Sequence, residues 1–516
     1  APSIAESDYN NLFTSGSFMV REGSSNYGTV EQWQGASLYE DHSVSFDPQF
    51  QSSTQLYASG PGLASSGKDL LTEVPADIDG VARTATPSLG ATQYSAAALT
   101  PLSGTYTIGT GAFDFTSINA AIDAMKVNGI NGPVTFRLNS QTFTERFILP
   151  FISGMSASNP IIFESQSGNA ADVIMTPAAA TNAAGNYIAR LSNAANVTFR
   201  NITFQPAAGT EFNRAIHVEN RADNLTFENL RVILPATTSF TEERGAIIVR
   251  ASLSSNIRFI NNVISGGSHG ILHIGSNSSY SPGSVFTGNT ITNVFARPAY
   301  FEYMNGMIFN DNTITHTGTA YSDYYGTGIQ YMSGYLEMLR NRITGVVGHA
   351  VRFHYCAGVS AAQPSIIANN FFHSNSNYGT VYILYGLNYT NIYHNSIHNT
   401  SSGPVFEFNR YQSTGNRIIN NIFKANTGYA IEYQNSNAPS ITESDYNNVY
   451  TSGSFIGRIG STNYGTLEQW KTGSGLEDHS LSIDPQFQSN TALYTVVSAL
   501  SSAGKNVNAE VPDDID

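Results

Sequence analysis

The chain has 516 residues, of which only 12% are charged, and it carries 24 Lys+Arg, 38 Asp+Glu and one cysteine, Cys356, for a formal net charge of −14. A hydrophobic content of 41% excludes a disordered chain, no run approaches 18 apolar residues, and one cysteine builds neither a disulfide scaffold nor a cysteine zinc site. An acidic chain so poor in Lys also makes a weak partner for a nucleic-acid backbone.

The negative charge sits at the two ends. Residues 1–79 hold 11 acidic and 2 basic residues, residues 438–516 hold 10 and 3, and the stretch between them is almost neutral. The ends are copies of each other. APSIAESDYNN at Ala1 returns as APSITESDYNN at Ala438, and 50 of 79 positions are identical at an offset of 437 without a gap. Trp33 and Trp470 correspond, as do the DPQF segments at Asp47 and Asp484. Such a period predicts a fragment of a tandem array. Residues 1–79 would be the tail of one unit and 80–516 one complete unit. The alternative is a single protein with duplicated end modules. No basic stretch followed by an apolar one opens the chain, so any export signal is expected upstream or already removed.

Residues 80–103 read as a junction. Next, FTSINAAIDAMK from Phe115 reads as a short amphipathic helix with Thr116 or Ser117 near its N-cap. PVTFRL and FTERFIL follow as strands. From about residue 196 a pattern recurs: a β-rich run, an Asn, then alternating apolar residues, as in NVTFRNITF, NIRFINNVI and RIINNIF. The aligned residues are Asn201, Asn229, Asn262, Asn289, Asn312, Asn341, Asn370, Asn395, Asn421 and Asn448. The segments alternate with period 2, which argues strands, and their near-regular spacing argues a solenoid. A buried Asn in each coil can bond the amide above and below it, so these ten are expected to form a structural ladder. An open solenoid end exposes strand edges, which is the physical need for the helix as a cap.

At this point the sequence resembles the right-handed parallel β-helix, or pectin-lyase-like, family over about residues 104–480. SGTYTIGTGAFDFTSINAAIDAM…GPVTFRLNSQTFTE looks like the opening segment of β-helix modules in large cell-surface proteins of Gram-negative bacteria. DPQF…VPADIDGVARTATPSLGATQY looks like their closing segment, although Ser88, Ala91 and Gln93 stand where such segments often carry acids. The resemblance implies an all-β solenoid with an N-terminal capping helix, an acidic junction over 481–516, and a secreted, cell-surface setting. The fold does not fix the function, because it hosts lyases, hydrolases, adhesins and stalks.

Family enzymes work on an exposed sheet face. Aligning the second strand of each coil predicts an outward column of His273, Glu302, Gln330, Arg352, Tyr382, Glu407 and Glu432. For a polysaccharide lyase, His273 or His354 would be the base and Arg352 would neutralise a uronate carboxylate. For a hydrolase, Glu302 lacks an acidic neighbour, whereas Glu407 and Glu432 stand one rung apart. An outward column on any solenoid is polar, so this set is equally readable as solvated side chains. Tyr324, Tyr325, Tyr331, Tyr382 and Tyr385 are candidates for stacking on sugar rings, or simply good strand residues. Asp77, Asp79, Asp514 and Asp516 are possible Ca²⁺ ligands at the acidic junctions; no other cofactor is expected. Cys356 reads as a small buried residue.

The expectation that gathers these signals is a structural or adhesive tandem-repeat module of a long secreted protein or filament. It would associate end to end with copies of itself, with surface glycans as a further expected contact, and neither bind nucleic acid nor insert in a membrane. The alternatives are a polysaccharide lyase or glycoside hydrolase, and a non-catalytic carbohydrate-binding module.

Overall fold

The computed structural model describes the chain except for residues 1–3, 15–18, 24, 28, 29, 38, 47, 49, 51, 96–99, 209, 210, 410–412, 436–439 and 512–516. Residues 102–451 wind into a parallel β-helix. One face is a sheet of 12 strands, from Gln141–Phe143 to Asn448–Thr451. Every pairing within it is parallel, because each strand bonds the same strand of the next coil. The other two faces join into a sheet of 25 strands, since strands such as Arg297–Asn310 and Tyr325–Leu339 run unbroken around the corner between them.

Inward residues pack in stacked columns. Phe136, Phe163, Phe199, Phe227 and Phe259 lie ring over ring, with centroids 5.0–6.4 Å apart. Parallel in-register strands place identical side chains above one another, so one residue type can fill a column.

Two helices close the ends. Helix α1 (Val30–Ser37) belongs to the first end copy. Helix α2 (Ile118–Asn128) plugs the opening of the coil with Ile118, Ala121, Ile122 and Met125. Ser117 is its N-cap, accepting from the Ala120 amide at 3.0 Å, and the Glu145 carboxylate takes the Ile118 and Asn119 amides. Helix α3 (Leu467–Ser474) closes the other end, with Trp470 buried against Tyr433 and Tyr464.

The asparagine ladder exists but is shorter than expected and shifted at both ends. Its members are Asn262, Asn289, Asn312, Asn341, Asn370, Asn395, Asn421 and Asn447. Each Nδ2 donates to the Oδ1 of the next at 2.8–3.1 Å. Asn201 and Asn229 are not in it. They occupy the left-handed corner one residue earlier, with φ of 56° and 51°, and buried Ile202 and Leu230 hold the ladder position. Asn448 is likewise displaced by one; its side chain bonds the Ile483 backbone instead. Asn tolerates φ > 0 and also stacks as an amide, so adjacent positions attract the same residue for different reasons.

Candidate functional site

The face carrying the candidate residues runs from Phe147–Leu149 through Ile216–Asp223, His269–Ile274 and His349–Ala357 to Gly457–Ile459. Strand register resolves it into two outward columns. One reads Arg190, His217, Ile248, Leu272, Tyr300, Gly328, Arg352, Tyr382, Glu407, Glu432 and Arg458. The second lies two residues later on each strand and reads Glu219, Arg250, Ile274, Glu302, Gln330 and His354. The single expected column mixed the two.

His273 belongs to neither. It points into the coil, fully buried, its Nε2 3.1 Å from Ser254 Oγ. Burial drops its pKa to about 3, so it stays neutral and out of reach of any substrate. The expectation failed because the outward neighbours Ile248, Leu272 and Tyr300 are themselves apolar and covered, which erases the alternation. Arg297 covers that patch, its guanidinium lying 4.9 Å from the Phe240 ring centroid, 4.6 Å from Tyr300 and 5.1 Å from Tyr325. Tyr324 and Tyr325 are buried too, which removes them from any glycan surface.

Glu302 accepts from the Tyr300 hydroxyl at 2.8 Å. His354 shares its column two rungs on. Arg352 stands two residues before His354, 3.7 Å from Asp323 and 5.1 Å from the Tyr325 ring centroid. Burial, then the nearby Arg352 charge, lower the His354 pKa to about 4, so it is a neutral and weak base at pH 7. Its ring packs among Tyr331, Tyr355 and Tyr385 at 4.8–5.2 Å.

Those tyrosines form a staircase that the sequence did not single out as a unit. Tyr303, Tyr331, Tyr355 and Tyr385 stack at 4.9–5.4 Å with interplanar angles of 10–16°. The first three have positive φ, which aligns them at one corner of successive coils. Tyr382 stacks separately on His349 at 4.4 Å.

The other group is Glu407 and Glu432, direct register partners and both buried. Glu407 accepts from the Gly379 amide at 3.1 Å, Asn409 at 3.2 Å and Gln434 at 2.6 Å. Burial and the neighbouring Glu432 push its pKa up to about 7. Glu432 pairs with Arg458. Two adjacent carboxylates, one apt to hold a proton and one held by a cation, are the chemical components of acid–base work. Here both are buried, and three donors hold Glu407.

Asp77 accepts from the amides of Asp79, Val81 and Gln93, and these bonds hold its carboxyl below the usual range. Asp79 accepts from the Tyr57 hydroxyl at 3.2 Å. Asp514 and Asp516 lie outside the described residues. Among the described residues no three His, Cys, Asp or Glu side chains gather as a metal site. Cys356 is buried and free, its thiol pushed up to about 12 by burial.

Residues 186–361 match the family model for a right-handed β-helix region. No curated protein matches the chain. Among solved structures, it is similar to the A-module of a mannuronan C-5 epimerase from Azotobacter vinelandii (14% identity, 72% of this chain and 95% of that one, TM-score 0.40). It is also similar to a mannuronic acid-specific family 6 polysaccharide lyase from human gut microbiota (10%, 74% and 91%, 0.38) and to PfbA, a surface adhesin of Streptococcus pneumoniae (12%, 69% and 93%, 0.34). Among the described residues no helix is long and apolar enough to cross a membrane.

Proposed function

We propose that this chain is a structural, adhesive repeat module of a long secreted cell-surface protein or filament, joined end to end with copies of itself. The observation that carries this reading is the duplicated cap. Residues 1–79 and 438–516 share not only sequence but hydrogen bonds. Tyr9 stacks on His42 at 4.7 Å as Tyr446 stacks on His479 at 4.7 Å. Asp8 holds His42 Nδ1 at 2.6 Å as Asp445 holds His479. Asn11 bonds Phe46 as Asn448 bonds Ile483. A repeated cap suits a chain that ends one coil and begins another, and each further unit lengthens the rod. The reading excludes turnover: a panel of acidic and neutral glycans should yield neither unsaturated products nor new reducing ends, and turnover of any of them would overturn it.

The second reading is a carbohydrate-active face, favoured by the raised pKa of Glu407 beside Glu432. It requires the Glu407→Gln variant to abolish whatever turnover the same panel reveals. Non-catalytic glycan contact through the Tyr331–Tyr355–Tyr385 staircase fits the adhesive role, and a glycan array with Tyr355→Ala as control tests it. Calcium at the acidic junctions belongs with the array as a stiffener, and a melting temperature lowered by chelator would support it.

A further inference from the structure

The two end copies fold alike but are not surrounded alike. In the second copy the cap lies on the coil that precedes it. Asn448–Thr451 pairs in register with Ile422–Ala425, Ser440–Asp445 pairs with Thr414–Ile419, and Val507 and Val511 pack on Ile366, Ala368, Tyr393 and Ile419. In the first copy, among the described residues, no strand of a coil pairs with the same surface. Leu56 is 62% exposed where its counterpart Leu493 is 1% exposed, and Leu70 is 46% exposed where Val507 is 2%. Ile4, Phe13 and Val74 are exposed as well.

Polar groups tell the same story. Asn447 ends the ladder: its Oδ1 accepts from the Asn421 backbone and side-chain amides, and its Nδ2 donates to Glu477. Asn10 keeps the matching bond to Glu40 at 2.7 Å, yet among the described residues nothing donates to its Oδ1. A concavity of about 520 Å³ opens there, lined by Asn10, Lys68, Leu70 and Val74 among others. The second copy keeps a concavity of about 600 Å³ beside Asn447 and Lys505, but there the preceding coil forms one wall: Asn420 bonds the Lys505 backbone and Arg417 bonds Glu443. Part of the space beside Gly67 is taken by the Pro87 carbonyl, which accepts from the Gly67 amide at 2.9 Å.

The first copy displays the other half of the arrangement. Its far side rests on the coil that follows: Asn193 Nδ2 donates to Gln34 Oε1 at 3.0 Å, Arg221 pairs with Asp41 at 2.8 Å, and His42 stands edge-on to Phe151 at 6.4 Å.

We infer that the exposed face of residues 1–79 is a docking surface for the last coil of a second copy of the 80–437 unit, placed directly ahead of Ala1. It would seat there as residues 438–516 seat on their own coil, with Phe13 beside Lys424 and Asn10 completing the asparagine ladder. This rests on the repeat-module reading and specifies its joint. The second copy shows how a cap grips the unit behind it, the first how the cap supports the unit ahead, and together they make one complete junction.

The test is a two-unit chain in which residues 80–437 are joined ahead of Ala1 of the full chain. Phe13→Cys in the cap and Lys424→Cys in the added coil stand where register would pair them, as Tyr450 pairs with Lys424. Oxidation should close this disulfide, as Tyr450→Cys with Lys424→Cys closes it in the single-unit chain. Independently, amides of residues 4–13 and 67–74 should exchange with solvent at least tenfold more slowly in the two-unit chain, because docking covers them. Absence of the disulfide together with unchanged exchange would overturn the inference and leave the non-catalytic reading untouched. Glycan turnover by a chain that docks would do the reverse.

Discussion

Between residues 196 and 235 the coil turns its corner with Asn201 and Asn229 in the left-handed region and buries Ile202 and Leu230 behind them. From residue 256 onward the same corner is followed instead by a buried asparagine, from Asn262 to Asn447. The backbone path is shared, so the difference lies in what fills the space behind the turn. An aliphatic side chain contributes burial alone. An asparagine contributes less burial but satisfies a strand-end carbonyl: Asn262 takes Phe227 O, Asn341 takes Phe309 O and Asn421 takes Ile392 O. Stacking then ties each amide to the next. The corner thus tolerates either chemistry, but a ladder is a collective structure and an aliphatic column is not.

Cutting the ladder in its middle should break this contrast most sharply. Asn341→Ala removes five hydrogen bonds and strands the Asn312 backbone and side-chain donors in a dry interior. A loss of about 3 kcal/mol is expected by chemical denaturation, since a buried unpaired group costs roughly 1–3 kcal/mol. A loss below about 1 kcal/mol would mean that burial alone holds the corner.

The next effect is electrostatic. Glu407 binds its proton more tightly folded, with a pKa of about 7, than unfolded, near 4.5. Between those values the folded chain holds more protons, so this group makes stability fall as pH rises from about 4.5 to 7. At about 1.4 kcal/mol per pKa unit the shift corresponds to roughly 3 kcal/mol, and coupling to Glu432 reduces the expected contribution to the order of 2 kcal/mol. Neutral His273 and His349, both buried, and half-buried His354 act the opposite way, costing stability as pH falls below 6.5. The comparison is therefore wild type against Glu407→Gln across this range. An unchanged pH slope in the variant would show that Glu407 is ionised throughout.

Smaller effects compare the ladder's end with its duplicate. Asn447→Ala should cost about 1–2 kcal/mol because it frees Asn421 and the buried Glu477. Asn10→Ala in the exposed copy should cost little, about 0.5 kcal/mol or less. Equal losses would mean that both sites are equally sealed. Of similar size, Leu230→Asn should cost about 1 kcal/mol less than Ile202→Asn in thermal or chemical unfolding. The Leu230 amide already donates to Asn262 Oδ1, so an amide side chain there meets a ladder, whereas one at 202 meets Leu230.

The fold class, the capping helix with Ser117 and the repeat were readable from the sequence because each depends on local pattern or identity. The ladder was readable to within one residue. It slipped at Asn201 and Asn229, where left-handed backbone and amide stacking compete for the same letter, and at Asn448, one residue past the ladder, whose side chain bonds the Ile483 backbone. Outward and inward assignment on the candidate face was not readable, because the loop carrying Phe240 and the Arg297 side chain cover an apolar outer patch and hide the alternation that would have placed His273 inside. Exposure of tyrosines was equally hidden: Tyr324 and Tyr331 are seven residues apart, yet one is sealed and the other stands in the outer staircase.

The ladder also has a direction. Every side-chain amide donates toward the C-terminal end and accepts from the N-terminal side, so eight dipoles align head to tail, with their positive pole at Asn447. Glu477 sits at that pole. Burial raises the Glu477 pKa, while Ser444, Ser480 and the last amide pull it down by bonding the charged form. Units stacked through such caps would add their columns in the same sense, which gives the assembled rod electrically unlike ends.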